Sequence, residues 1–185
     1  MLGLAAVLWI VQIVNAHDGY DLNRFGLRPR TTGGLWGVLA MPFLHVSWGH
    51  LLSNTAPFVL IGWVVLLGGV RLWALVTLTI VLVGGLLTWL VGPGNTVIVG
   101  ASALVFGWIG YLVARAYVSR RIRWIVSTAL VLIFFGTLLY GLVPVAHSHV
   151  SWQAHVCGFV TGAAVGAALH TRGGARRRWR RGVSP

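Results

Sequence analysis

Acidic residues are nearly absent from this sequence, and lysine is completely absent. Its 185 residues include two acids, Asp18 and Asp21, and all fourteen basic residues are arginine. Charged residues make up 9% of the chain and hydrophobic ones 57%, whereas a soluble domain has about 25% charged residues. The composition is therefore that of a membrane protein. A net charge of +12 can indicate nucleic-acid binding, but the arginines lie between apolar runs, as cytoplasmic charges of membrane proteins do. We expect no nucleic-acid partner.

The sequence also has a single cysteine and no glutamate, which limits the disulfides and metal sites that it can form. Cys157 is the single cysteine, so no intrachain disulfide can form. Zinc peptidases use the pattern HExxH, but the segment "HVSWGH" contains no glutamate and no apolar run contains a carboxylate. We therefore expect no metal and no cofactor.

Long hydrophobic runs are what the sequence has in abundance. A spanning helix needs about 20 apolar residues. The runs predict an all-α membrane protein, a bundle of six transmembrane helices at 2–16, 43–67, 72–91, 100–118, 124–143 and 152–170. The first run resembles a signal peptide, but it lacks a basic segment and further spans follow it, which favours a transmembrane helix.

The arginines predict the orientation of these spans. With the N-terminus inside, eleven arginines fall on one side and three in the long first loop. This bias predicts a multi-pass protein of the cell membrane with both termini in the cytoplasm. Loops 17–42, 92–99 and 144–151 would then lie outside. We expect a membrane domain over 1–171 and a basic cytoplasmic tail over 172–185, which would anchor the topology and attract anionic lipids.

Polar side chains interrupt the predicted spans at three places, each near the outer end of its helix. They are His45, His50 and Asn54 in the second span, Ser102 in the fourth and His155 in the sixth. Such groups are costly in lipid and usually face a protein interior or a water-filled cavity. The pattern predicts an outward-open polar cavity. His50 and Asn54, four residues apart, share a helix face, while His45 points elsewhere.

Small residues predict that the fourth and sixth spans pack closely. Glycines recur every fourth residue in the sixth span, and the fourth offers a matching small surface: Gly158, Gly162 and Gly166 against Ala103, Gly107, Gly110 and Ala114. Such stripes permit close helix approach, which would bring Ser102 near His155. A serine beside a histidine base is a nucleophilic pair. Because no span contains an acid, a Ser–His dyad is expected, with His50 and Asn54 as oxyanion donors.

Two other classes of function stay open at this point. The polar residues could be satisfied within a packed core, giving an inactive protein that binds transmembrane clients. Membrane histidines can also relay protons in a carrier. Against a carrier, the halves show no paired discontinuous helices and no span has an acid for ion coupling.

Three motifs in order, "HVSWGHLLSN", "GAS" and "AHVCGFVTG", resemble those of the rhomboid intramembrane serine proteases, and a compact six-helix core suggests a bacterial member. The resemblance implies that Ser102 is the nucleophile and His155 the general base. It implies cleavage of transmembrane segments of single-span or multi-span membrane proteins, with an active site opening to the extracytoplasmic side. His50, Asn54 and the backbone amide of Ser102 would form the oxyanion hole.

The resemblance also implies supporting roles and has two departures. Phe106 would pack against the catalytic histidine, and the loop at about 144–151 would gate water and substrate. The other supporting positions are His45, Gly100, Gly158 and Gly162. The family commonly has glycine after the nucleophile, where this chain has Ala103. The Trp-Arg pair of some members' first loop is also missing, so the detailed structure of that loop is not carried over.

Overall fold

The protein is predominantly helical in the part of the chain that the computed structural model describes, residues 1–144 and 151–180, with side chains described as far as residue 170. We label its long helices α1 (Leu2–His17), α2 (Trp48–Leu66), α3 (Val70–Val91), α4 (Ser102–Ser119), α5 (Ile122–Phe135, continued by a 3-10 segment Gly136–Leu142) and α6 (Trp152–Arg180). Most of the predicted gating loop at about 144–151, namely residues 145–150, lies outside the described residues.

Within the described residues, four helices are long and apolar enough to cross a membrane: α2, α3, α4 and the continuous stretch Ile122–Leu142. The first helix is apolar but has 16 residues. The all-helical fold and a membrane-spanning chain are thus confirmed. Six spans and a cavity open to the outside remain predictions.

Helix α2 begins later than the sequence predicts. Residues 43–47 precede the helix because Met41–Phe43 forms a 3-10 turn and the following residues are extended. The Ser47 side chain then accepts a hydrogen bond from the His50 N–H at 3.1 Å, which caps the helix. His45 therefore lies in the segment before α2, and the comparison of its helix face with that of His50 was wrong.

Helix α4 forms the centre of the bundle and is the most buried of the four candidate spans. Its Trp108 indole donates to Thr77 of α3 at 3.0 Å, and its Leu112 carbonyl accepts from Thr128 of α5 at 3.2 Å. The largest interface is with α6, where the predicted glycines lie. A Cβ on Gly158 or Gly162 would overlap a backbone carbonyl of α4, so only glycine permits this approach.

The long first loop, between α1 and α2, is fixed to the end of the bundle. Leu27 and Ile98 form an isolated antiparallel bridge, with N···O distances of 3.0 and 2.9 Å. The Arg30 guanidinium donates to the Gly92 carbonyl at 2.6 Å, and the Trp89 indole donates to the Thr31 carbonyl at 2.9 Å. These bonds connect the first loop to the α3–α4 connection, next to the start of α4.

Candidate active site

The start of α4 depends on a glycine that no other residue replaces without strain. Gly100 has φ +122°, a region that L side chains rarely adopt, and its N–H donates to the Met41 carbonyl at 2.9 Å. A Cβ there would lie 2.8 Å from His50 Nε2 and 3.7 Å from Ser102 Oγ. Gly100 thus lets the His50 ring of α2 approach Ser102, the first residue of α4.

Ser102 and His155 form a direct hydrogen bond between α4 and α6. The Ser102 Oγ to His155 Nε2 distance is 2.8 Å. The other ring nitrogen, Nδ1, lies 2.9 Å from the Gly141 carbonyl oxygen. A carbonyl only accepts, so Nδ1 carries the proton and Nε2 has the lone pair that receives the serine hydroxyl. This arrangement is the one that a general base requires.

The imidazole of His155 is held in its plane by an aromatic ring. Phe106, one turn after Ser102 on α4, stacks on it with centroids 4.2 Å apart and planes 15° apart. His155 is 6% exposed. Because one face of the ring and both nitrogens have partners, the orientation of His155 is defined by α4, by the end of the 3-10 segment and by its own helix.

His50 and Asn54 lie on the side of the site formed by α2. Asn54 is 5% exposed, and its Nδ2 donates to the backbone carbonyl of His50 at 2.9 Å. An amide nitrogen carries two hydrogens, so one donor of Asn54 is used within α2 and a second is available. The His45 and His50 rings are in edge-to-face contact, with centroids 5.0 Å apart.

His45 is fully buried and is held through its backbone. Its carbonyl accepts from Nδ2 of Asn15 at 3.2 Å and from Nδ2 of Asn23 at 3.4 Å. Within the described residues neither nitrogen of its ring has a hydrogen-bond partner. His45 thus joins α1, the first loop and α2 beside the candidate site, and its ring contacts that of His50.

Sequence reasoning missed the group that holds Nδ1 of His155. Gly141 supplies a backbone carbonyl, and a Cβ there would lie 2.9 Å from Nδ1 and 3.1 Å from Phe106 Cζ. Every residue has a carbonyl, so no motif marks this role. The one available signal was a glycine in an apolar run shortly before the sixth helix. Among the described residues no group of three metal-binding side chains occurs.

Comparison with known proteins agrees with this architecture. A family model described as the Rhomboid domain matches residues 32–172. Uncharacterized proteins of Mycobacterium tuberculosis and Mycobacterium bovis are each 38% identical over 170 residues, covering 88% of this chain and 70% of theirs. An uncharacterized protein of Mycobacterium leprae is 34% identical over 169 residues, covering 88% and 67%. The match to the domain spans every element that contributes to the Ser102–His155 contact, and this chain belongs to the rhomboid family.

Proposed function

We propose that the protein is an intramembrane serine endopeptidase that hydrolyses peptide bonds in transmembrane segments of membrane proteins. The observation that carries the proposal is the Ser102–His155 hydrogen bond at 2.8 Å with Nδ1 on the Gly141 carbonyl. It supplies a nucleophile, a base and an orienting group in line. The substrates would be single-span or multi-span proteins in the same bilayer.

The reaction follows from the tautomer of His155. Ser102 Oγ attacks the substrate carbonyl while its proton moves to Nε2, giving a tetrahedral intermediate and an imidazolium. The imidazolium then protonates the leaving amine, and an acyl-enzyme forms on Ser102. Water, deprotonated by Nε2, hydrolyses the ester. The dipole of the Gly141 carbonyl stabilises the imidazolium, a role that a carboxylate has in triads.

An oxyanion hole would form between α2 and α4. The first N–H groups of a helix lack intrahelical acceptors, so the backbone amide of Ser102, at the start of α4, is free to donate. His50 Nε2, which Gly100 brings towards Ser102, and the second amide hydrogen of Asn54 would complete the donors. Donors fixed in place before the reaction stabilise the developing charge without reorganisation.

Topology supports a site that opens away from the cytoplasm. The arginine bias assigns both termini to the cytoplasm, and the dyad lies at the opposite end of α4 and α6 from the tail at 172–185. We propose that water and substrate enter from the extracytoplasmic side, that loop 144–151 gates them, and that the basic tail anchors the 1–171 domain and attracts anionic lipid.

The test uses purified protein in liposomes with a single-span substrate. Cleavage and labelling by a fluorophosphonate probe are followed for the native chain, Ser102→Ala and the control Ser127→Ala. Ser127 lies on α5, where its hydroxyl bonds the Arg123 carbonyl at 2.7 Å. We expect Ser102→Ala to abolish both signals and Ser127→Ala to keep both.

Folded native protein that neither cleaves several substrates nor reacts with the probe would contradict the proposal. The inactive client-binding protein and the histidine-lined carrier would then be the functions to test.

A further inference from the structure

Arg115 is a buried cation inside α4, at the end opposite the candidate active site. The arginine pattern groups it with loop residues, but its side chain is 6% exposed within the helix. The two acidic side chains of the chain are at the other end, where Asp21 pairs with Arg24 at 2.7 Å and Asp18 with His17 at 3.4 Å. No acidic side chain of this protein can therefore neutralise Arg115, although a buried unpaired charge destabilises a fold.

Aromatic side chains and a turn enclose the Arg115 guanidinium. Its Cζ lies 3.4 Å from the centroid of the Trp124 ring, and Nη1 donates to the Tyr111 hydroxyl at 2.9 Å. A Cβ on Gly68 would lie 2.6 Å from Nη1, so the group rests against the α2–α3 turn. Its buried Nε has no hydrogen-bond partner among the described residues.

A second guanidinium shares the same indole. Cζ of Arg123, an exposed residue at the start of α5, lies 5.0 Å from the Trp124 centroid. Cation–π contacts stabilise each group but leave two positive charges on one indole. An anion between or beside them would remove that repulsion and supply an acceptor for the unused N–H groups.

We propose that Arg115 and Arg123, which both contact the Trp124 ring, form a binding site for a phosphate oxyanion, carried by an anionic lipid headgroup or present as free phosphate. The planar guanidinium matches the geometry of phosphate oxygens. Arg115 precedes the end of α4 by four residues, or about 6 Å, and follows Ser102 by about 20 Å. The site is thus near the helix end where headgroups begin, and it does not depend on the proposed peptidase function.

The full-length protein in a neutral detergent provides the test, by thermal unfolding with added phosphatidylglycerol, phosphatidylcholine or inorganic phosphate at constant ionic strength. The variants are Arg115→Gln, Arg123→Gln and Arg71→Gln. Arg71 is an exposed arginine at the start of α3, at the same end of the bundle. Arg71→Gln therefore removes one positive charge from that end, as the other two variants do. Arg123 is exposed too, so its variant keeps the test valid if Arg115→Gln does not fold.

When the lipid concentration is about 100 times its dissociation constant, we expect phosphatidylglycerol to raise the unfolding midpoint of the native chain and of Arg71→Gln by about 5 °C or more. The increase should fall at least by half in Arg123→Gln and Arg115→Gln, and native mass spectrometry should show fewer retained lipids. An equal effect of inorganic phosphate identifies free phosphate as sufficient, and an effect of the lipid alone identifies the headgroup. No stabilisation by either anion, or an equal loss in Arg71→Gln and Arg123→Gln, would overturn the proposal.

Discussion

The helix pair α4 and α6 carries a hydroxyl–imidazole contact at each end, and the surroundings of the two contacts differ. Ser102 Oγ lies 2.8 Å from His155 Nε2, while the Tyr111 hydroxyl lies 3.3 Å from His170 Nε2. Around His155, Nδ1 meets the Gly141 carbonyl and the ring stacks on an aromatic side chain. At the other end, the phenol oxygen already accepts an N–H from Arg115 at 2.9 Å.

The difference shows why a hydroxyl beside an imidazole is not by itself a catalytic pair. His155 has its tautomer defined by an acceptor on Nδ1, so its free lone pair points at a primary alcohol. The hydroxyl near His170 is a phenol whose lone pair is engaged by a cation. The first environment favours proton transfer from the hydroxyl, and the second stabilises a packed helix end.

The largest expected effect on the cleavage rate comes from replacing the histidine by glutamine in each of the two hydroxyl–imidazole contacts. His155→Gln should lower the cleavage rate by at least about 10⁴-fold, because no other side chain in line can accept the Ser102 proton. His170→Gln should stay within about threefold of native protein. Initial rates in liposomes at equal folded protein check both. Comparable rates for the two variants would remove the proposed distinction between the ends.

Asn54→Ala should have the next largest effect, a decrease in cleavage rate of about 10²–10³-fold, as expected for one lost oxyanion donor. Ser53→Ala is the control, since the Ser53 hydroxyl bonds the same His50 carbonyl at 2.9 Å from the exposed side of α2. Fluorophosphonate labelling and cleavage are measured together. If both variants lose activity equally, Asn54 acts by stabilising α2 and not by contacting the oxyanion.

Gly141→Ala tests the backbone acceptor of His155. The added Cβ would lie 2.9 Å from Nδ1 and shift either the ring or the carbonyl, so we expect a decrease in kcat of about 10–10²-fold with little change in KM. Gly136→Ala is the matched control in the same 3-10 segment, where a Cβ meets nothing within 4 Å. Native kcat in Gly141→Ala would show that the close approach of residue 141 to the His155 ring is not required for the rate.

The sequence predicts the contact between α4 and α6 because the spacing of small residues within each helix shows which face can pack closely. Glycine every fourth residue on α6 indicates close helix packing, and the polar residues near the starts of α4 and α6 then converge. The predicted limits of α3 to α5 lie within two residues of the observed ones, since lipid requires long apolar runs. The predicted start of α2 was wrong because Ser47 caps the helix inside an apolar stretch, and hydropathy does not detect caps.

Contacts made through backbone carbonyls or between distant helices cannot be predicted from residue patterns. The first loop is held by a single bridge and by carbonyls that accept from Arg30 and Trp89, and no side-chain pattern encodes those acceptors. Arg115 is one of the eleven arginines that the charge count places on the cytoplasmic side, because arginine beside an apolar run usually marks topology. Its partner Trp124 is on the next helix, so the burial of Arg115 depends on how α4 and α5 pack.

The smallest expected effect concerns stability at the Arg115 end. Tyr111→Phe keeps the ring but removes the hydroxyl that accepts from Arg115 and contacts His170. Leaving a buried guanidinium N–H unsatisfied should lower the free energy of unfolding by ~1–3 kcal/mol. Cleavage should stay within about threefold of native protein, because Tyr111 lies about 13 Å along α4 from Ser102. Reversible unfolding in detergent and cleavage in liposomes measure the two quantities separately. If Tyr111→Phe leaves stability unchanged but lowers cleavage as much as Gly141→Ala does, the two ends are coupled through α4 and α6, and the proposed independence of the Arg115 end from catalysis is wrong.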